Sequence, residues 1–283
     1  MENIPIRNIN ASQEKLKLAD NFSIRNLRDL FEGKDMVQKL HKHSFFYVLV
    51  LKKGKGDHQI DFTPYTIDDH SIFFMRPGQV HQLNLKLGSA GFLMAFTTDF
   101  YRDKESNQYL RKASNTNFYQ FDQYSFNKIY SVFQYMFQEY TDKNKGYEEV
   151  IKSNLNILFI ELNRLQHENP LSDGVSYTQQ RLEDFLELLN SHIFSHKQVS
   201  YYADMLNLSP YQLNAITKTS LGKTCSELIN GYIILESKRY LLATSNQVTQ
   251  IAYHLGYQDV SYFIRFFKRQ TGFSPEVFRQ NFK

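Results

Sequence analysis

The sequence contains no tryptophan, a single cysteine and no long apolar run. A single cysteine, Cys225, excludes an intramolecular disulfide and any zinc site built from several cysteines, as is typical of a reducing cytoplasm. The longest apolar run, Phe45 to Leu51, has seven residues, whereas a membrane-spanning helix needs about 20. The first fifteen residues lack the apolar core of a secretion signal. We therefore expect neither membrane insertion nor export, and we predict a cytoplasmic protein.

The motifs of the common enzyme classes are also missing. The chain has no Walker loop, no G-x-G-x-x-G, no H-E-x-x-H and no G-x-S-x-G. Its one glycine-spaced segment, Gly54-Lys55-Gly56, is more typical of a hairpin turn than of a phosphate-binding loop. We therefore predict that the protein is not an enzyme and that it carries no cofactor.

The length and the charge distribution indicate two domains of different character. A chain of 283 residues exceeds a usual single domain of about 100 to 150 residues. The stretch from Ile193 to Lys283 holds ten Lys or Arg against five Asp or Glu, which is +5, so the total of +4 leaves about -1 for the rest. A basic C-terminal part favours a polyanionic partner such as nucleic acid.

The first part of the chain has the pattern of a small β-domain followed by two helices. Apolar and polar residues alternate between Phe22 and Phe100, with Gly and Pro between the runs, which predicts an antiparallel barrel or sandwich. Apolar residues then recur at helical spacing in 122–140 and 147–167, which predicts a helical hairpin. A Pro, Gly and Ser-containing stretch follows. We predict domains at 1–170 and 177–283, joined by a linker at 171–176.

The C-terminal part contains an internal repeat, offset by 49 residues up to Leu255 and by 50 afterwards. Each copy has the pattern of a short helix, a tight turn and a longer helix, which is that of a helix-turn-helix motif. Ser209 and Asp259 are placed to cap the second helix of each copy, and Gly222 and Gly272 to end it. The repeat pairs Val199, Ala203, Leu206, Leu213, Lys218 and Gly222 with Val248, Ala252, Leu255, Phe263, Lys268 and Gly272.

Each longer helix has an inner apolar face and an outer polar face. Leu213 and Ile216 face inward in the first copy, and Phe263 and Phe267 in the second. Amide, hydroxyl and guanidinium groups on an exposed helix fit the base edges of the DNA major groove, and the alternative is an ordinary solvated face. The presence of two copies of the helix-turn-helix pattern favours DNA binding over an ordinary solvated face. The predicted DNA-binding residues are Pro210, Tyr211, Gln212, Asn214, Ala215 and Lys218 in the first copy, and Ser261, Tyr262, Arg265, Lys268 and Arg269 in the second.

The residues from Ala252 to Arg279 closely follow the pattern A-x-x-x-G-Y-x-D-x-S-Y-F-x-R-x-F-K-x-x-x-G-x-S-P-x-x-F-R. This pattern resembles the C-terminal signature of AraC/XylS-type transcription regulators, and the resemblance covers about 177–283. It implies a connector helix over 224–242, phosphate contacts by Lys218, Lys268 and Arg269, and base contacts by Tyr211, Asn214, Ala215, Ser261, Tyr262 and Arg265. Ala215 lies where the family commonly has a polar residue, so we expect weaker base reading by the first motif.

The N-terminal half resembles the cupin-like barrel that senses effectors in many members of this family. The resemblance rests on His41-Lys42-His43 and on Pro77-Gly-Gln-Val-His81. A metal-binding cupin would add a carboxylate, and 44–51 contains none. We therefore predict no metal, and a small organic effector that contacts four residues of the barrel: His41, His43, Tyr47 and His81. The alternative is a purely structural role for these histidines or a place at the rim of the pocket.

The resulting prediction is an α+β, two-domain protein. It has a cupin-like antiparallel β-barrel with a helical hairpin, and an all-α domain with two helix-turn-helix motifs joined by a connector helix. Its function would be sequence-specific binding of double-stranded promoter DNA in response to a small molecule, as a homodimer through 122–167. Two alternatives remain open at this point: a metal-dependent cupin enzyme or metal sensor fused to a DNA-binding domain, and a constitutive DNA-binding dimer without effector.

Overall fold

A computed structural model of the protein describes residues 4–7, 21–101, 107–166 and 177–282. The chain divides into two compact units, one comprising Pro5–Pro170 and the other Leu171–Lys283 together with Met1–Ile4. The predicted linker at 171–176 and the predicted helix end at His167 lie outside the described residues. Within the described ranges, no helix has the length and apolar character needed to cross a membrane.

The N-terminal unit is built on two five-stranded sheets, with strand orders β1-β3-β8-β5-β6 and β10-β7-β4-β9-β2. The predicted antiparallel β-architecture is confirmed, and among the described strand pairs only β1 with β3 is parallel. The strands are β1 Ile6–Arg7, β2 Phe22–Asn26, β3 Met36–His43, β4 Phe46–Lys53, β5 Gly56–Ile60, β6 Thr63–Ile67, β7 Ser71–Met75, β8 Val80–Leu85, β9 Ala90–Phe96 and β10 Phe118–Gln120.

The second sheet is buried on both faces, which explains the apolar run in β4. Tyr47 and Leu49 belong to the core of the barrel interior. Val48 and Val50, which alternate with them, belong to a second core that the sheet shares with the helices. Successive side chains of a strand point to opposite faces, so a strand covered on both sides is apolar throughout.

Three helices cover the outer face of the second sheet: α1 Asn107–Ser114, α2 Gln123–Asp142 and α3 Tyr147–Gln166. The predicted helical hairpin is confirmed as α2 and α3. Asp122 caps α2 by accepting from the backbone N–H groups of Tyr124 and Ser125. Phe159 of α3 stacks on Phe74 of the sheet, with ring centroids 5.7 Å apart. Two short elements, α1 and β10, were not predicted from the sequence.

The C-terminal unit is helical, and the predicted pair of helix-turn-helix motifs with a connector is confirmed. The connector α7 packs against α5 and α6 on one side of the repeat and against α8 and α10 on the other. It begins at Cys225 with Thr224 as its cap. The helices are α4 Tyr177–His192, α5 Val199–Met205, α6 Pro210–Leu221, α7 Cys225–Ala243, α8 Val248–His254, α9 Val260–Thr271 and α10 Pro275–Phe282.

Candidate DNA interface and histidine cluster

The two longer helices of the repeat, α6 and α9, present the same surface. Residue by residue, 211–220 and 261–270 show one identical succession of buried, half-buried and exposed positions. Leu213 and Ile216 are buried in α6, as are Phe263 and Phe267 in α9, as predicted. Phe266, which the sequence analysis did not assign to the core, is buried as well. The internal repeat is therefore present in the three-dimensional structure as well as in the sequence.

The starts and ends of α6 and α9 follow the predicted capping. The Ser209 hydroxyl accepts from the Gln212 N–H at 3.2 Å, and the Gln212 side chain accepts from the Ser209 N–H at 2.8 Å. Asp259 accepts from the N–H groups at 261 and 262, at 2.8 and 3.1 Å. Gly222 and Gly272 end the helices in the left-handed region, with φ of 67° and 82°. Each cap satisfies backbone groups that a helix end would otherwise leave unpaired.

The tight turn inside each motif begins with the same backbone geometry in both copies, although the turn at 255–259 is one residue longer than the turn at 206–209. Asn207 and Gly256 have left-handed backbones, with φ of 54° and 76°. One residue later, the N–H of Leu208 donates to the Ala203 carbonyl, and the N–H of Tyr257 donates to the Ala252 carbonyl, both at 2.9 Å. A Cβ at Gly256 would lie 1.9 Å from the carbonyl oxygen of Phe194. The second copy therefore requires glycine at this turn, while the first accepts asparagine.

On α6, four of the predicted DNA-binding side chains are exposed, and Tyr211 is 84% exposed. They are Tyr211, Gln212, Ala215 and Lys218, and Pro210 at the start of the helix is exposed too.

Asn214 differs from these neighbours, because it is half-buried and both polar atoms of its amide are engaged within the protein. Its Oδ1 accepts from the Cys225 N–H, and its Nδ2 donates to the Pro210 carbonyl, each at 3.0 Å. The structure thus gives Asn214 a contact that the sequence analysis missed.

On α9, all five predicted side chains are exposed: Ser261, Tyr262, Arg265, Lys268 and Arg269. Arg265 lies 3.9 Å from a carboxylate oxygen of Asp259, and both side chains are more than 60% exposed. Exposed pairs of this kind contribute little stability, so this contact leaves the guanidinium available to another acceptor.

A cluster of histidines lies in the barrel of the N-terminal unit. His41 and His43 come from β3 and His81 from β8, and all three are buried. Residues two apart on a strand share a face, so both β3 histidines point to the same side. The pairing of His41 with His81 brings the third ring alongside them. The three Nε2 atoms lie 2.9 to 3.2 Å from one another.

Two further rings complete this cluster. Tyr47 stacks on His43 with the rings 8° from parallel, and its ring centroid lies 5.2 Å from that of His81. The four residues predicted to contact an effector are therefore adjacent. His58 of β5, which the sequence analysis missed, places its Nε2 2.9 Å from His81 Nδ1. Its position two residues before the buried Ile60 is the pattern that could have identified it.

The surroundings of the cluster keep His58 neutral. Burial, followed by the electrostatic influence of a proton on the nearby His41 or His43, lowers the pKa of His58 to about 3. The Nδ1 of His58 is buried and makes no hydrogen bond with the described residues. His41 Nδ1 lies 2.6 Å from the Lys39 carbonyl oxygen.

A groove of about 570 Å³ crosses the first sheet. Most of its lining belongs to the exposed face of β3, β5, β6 and β8, and among the clustered histidines it reaches only His58. The groove and the cluster are therefore largely separate features. We place the candidate effector site at the cluster because of its chemistry, and not in the groove because of its size.

Two family models match the chain, one in each unit. The AraC-like ligand binding domain matches residues 31–149, and a helix-turn-helix domain matches residues 202–281. Together these matches span more than half of the sequence. The first match covers strands β3 to β10 with α1 and α2 but only the start of α3, and the second runs from within α5 through the connector to the end of α9 and into α10.

Curated relatives and solved structures are similar to the chain over most of its length. The HTH-type transcriptional activator RhaS of Escherichia fergusonii is 25% identical over 254 residues, covering 85% of this chain and 87% of the relative. RhaS of Escherichia coli O157:H7 is 26% identical over 246 residues with the same coverage. A crystal structure of ToxT from Vibrio cholerae covers 92% of this chain and 98% of its own, at 14% identity and a TM-score of 0.43.

Proposed function

This chain belongs to the AraC-type transcription regulators, which bind specific DNA and respond to a small-molecule effector, and we propose which residues carry each task. The observation that carries the proposal is the identical exposure pattern of α6 and α9 on the two sides of one connector helix. Two exposed helices held by a rigid element suit successive major-groove segments about 34 Å apart on one face of B-DNA.

In the second motif, Ser261, Tyr262 and Arg265 read bases, and Lys268 and Arg269 contact phosphates. An exposed arginine can grip the guanine edge with two hydrogen bonds, whereas lysine near a phosphate carries no sequence information. In the first motif Tyr211, Gln212 and Ala215 face the bases and Lys218 faces the backbone. We do not include Asn214 among the residues that contact bases, because its amide already makes hydrogen bonds within the protein.

The protein acts as a homodimer through the helical hairpin α2 and α3. Two large apolar side chains of this hairpin, Tyr135 on α2 and Ile157 on α3, are about half exposed. Exposed apolar side chains on both helices support a two-fold interface between two copies of the hairpin. The dimer would double the DNA site and fix the spacing of its half-sites. Its place of action is the cytoplasm, where bacterial-type promoter DNA lies.

The effector binds against His41, His43, Tyr47 and His81, and the protein catalyses no reaction. Supporting this are the adjacency of these four side chains inside the barrel and the regulatory role of the relatives. Neutral imidazoles both donate and accept hydrogen bonds, so they can orient a hydroxylated or carboxylated ligand beside an aromatic ring.

Mapping the DNA fragments that the protein binds in cells tests the regulator assignment and supplies the effector candidates. Fragments sharing one sequence motif upstream of genes support the assignment, and uniform genomic coverage would contradict it. Metabolites of the neighbouring genes are then screened by thermal shift. A ligand at about 100 times its dissociation constant adds about 2.7 kcal/mol to the stability of the folded state. Tyr47→Phe and His81→Ala should lose that shift and retain DNA affinity.

A further inference from the structure

The three Nε2 atoms of His41, His43 and His81 form a closed triangle, with sides of 3.2, 2.9 and 3.1 Å. A hydrogen bond between two imidazoles needs one protonated nitrogen and one bare nitrogen. Around a triangle this cannot hold for all three sides, because two of the three nitrogens must be in the same state. At least one side therefore joins two lone pairs or two N–H groups.

The tautomer of His41 can be assigned from its other nitrogen. His41 Nδ1 lies 2.6 Å from the Lys39 carbonyl oxygen. A carbonyl only accepts, so Nδ1 carries the proton and Nε2 of the neutral ring presents its lone pair to the centre of the triangle. Such a hydrogen bond from the outer nitrogen is the usual way in which a protein orients a metal-binding histidine.

We propose that the N-terminal unit binds one divalent transition-metal ion, of the zinc, nickel or cobalt class, through the Nε2 atoms of His41, His43 and His81. A single cation accepts all three lone pairs at once, which no arrangement of protons achieves. Imidazole is a preferred ligand for these ions. Two nitrogens bound at about 2.1 Å to one ion lie about 3.0 to 3.4 Å apart, from octahedral to tetrahedral geometry, close to the distances observed.

His58 contacts the metal ligand His81 on the side away from the ion. With an ion on Nε2 of His81, the Nδ1 of His81 carries the ring proton and donates to His58 Nε2, 2.9 Å away. Among the described residues, the side chains that lie close enough together to bind one metal ion are His41, His43 and His81, and no carboxylate belongs to this group. The absence of a carboxylate from 44–51 predicts, by itself, that no metal binds. Three histidines are nevertheless a sufficient protein ligand set, and a remaining position can take water or an effector oxygen.

The test measures metal in full-length, untagged protein purified without chelator. Elemental analysis should find about one ion per chain, and stripped protein should take up about one Co²⁺ with visible absorption typical of nitrogen ligands. Stripped protein should also melt at a higher temperature with stoichiometric Zn²⁺, because the ion binds the folded state. Less than about a tenth of an ion per chain, together with no cobalt absorption, would overturn the proposal.

Two sets of variants locate the ion. His41→Ala and His81→Ala should weaken Co²⁺ binding at least about tenfold. His70→Asn is the control in the same unit, because His70 has a φ of 59° that asparagine tolerates. His196→Ala removes a rival pair with His192, whose ring centroid lies 6.3 Å away. Full binding by folded His81→Ala, or loss of binding in His196→Ala, overturns the assignment. Should the alanine variants fail to fold, the cobalt spectrum of the unaltered protein decides.

Discussion

The side-chain oxygen of Asn214 accepts a hydrogen bond from the backbone N–H of Cys225 at 3.0 Å. Cys225 is the first residue of α7, where a helix leaves its N–H groups unpaired. Fifty residues later in the repeat, the corresponding positions are Ile264 and Pro275. Proline has no N–H, so the second motif needs no acceptor there. The two copies therefore differ at both positions together: an acceptor faces an N–H in the first copy, and neither is present in the second. This pairing explains why the first copy has Asn214 without any contact to DNA.

Replacing Asn214 by alanine should destabilise the C-terminal unit and leave base preference unchanged. Loss of the acceptor leaves the half-buried N–H of Cys225 without its partner, at a cost of about 1 to 3 kcal/mol. Asn214→Asp is the matched control, because a carboxylate preserves the acceptor at the start of α7. Thermal unfolding and selection of bound sequences from a random pool check both points. A changed base preference in the folded Asn214→Ala variant would restore Asn214 as a reader of bases.

Arg265→Ala and Lys268→Ala should weaken DNA binding in different ways. Loss of Arg265 should cost about 1 to 3 kcal/mol on the preferred site and relax preference at one base position. Loss of Lys268 should lower affinity for all sequences alike and reduce the salt dependence by about one charge. Gel-shift titrations on specific and scrambled DNA at several salt concentrations separate the two. Unchanged selectivity for Arg265→Ala, or a loss confined to one sequence for Lys268→Ala, would reverse the assignments.

Charge introduced on the hairpin should dissociate the dimer. Ile157, on α3, is 48% exposed, and burying a lysine there would raise the dissociation constant at least tenfold, or about 1.4 kcal/mol. Val37→Lys is the control, because Val37 is 66% exposed on β3 of the other sheet. Sedimentation velocity over a concentration series measures both variants. If Val37→Lys dissociates the dimer and Ile157→Lys does not, the first sheet forms the interface.

Gly256→Ala should destabilise the second helix-turn-helix motif by more than about 2 kcal/mol. The substitution combines a left-handed backbone with a Cβ 1.9 Å from the Phe194 carbonyl oxygen. Gly231→Ala makes a matched comparison, because Gly231 lies within α7 and a Cβ there meets nothing within 4 Å. That variant should gain about 0.5 to 1 kcal/mol through helix propensity. Denaturant unfolding distinguishes them, and equal stability of the two variants would contradict this account of the turn.

Patterns within short stretches of sequence were enough to predict much of this protein. The caps of α6 and α9 depend on residues two or three positions apart, and the hairpin α2 and α3 depends on apolar spacing within each helix. Both are local, so the sequence shows them directly. The short α1 and β10 were missed because eight and three residues carry too little periodicity.

The sequence by itself determined the two-part organisation, the β-architecture, the repeated helix-turn-helix motifs and the outward faces of their second helices. Only the tertiary structure decided where polar side chains meet. The triangle of His41, His43 and His81 depends on the register of β3 with β8, which joins residues about forty positions apart. The inclusion of His58 depends on the pairing of β5 with β8, and the contact of Asn214 depends on the path of the chain into α7. Strand register and helix packing result from burying the whole apolar surface at once, so no local pattern specifies them.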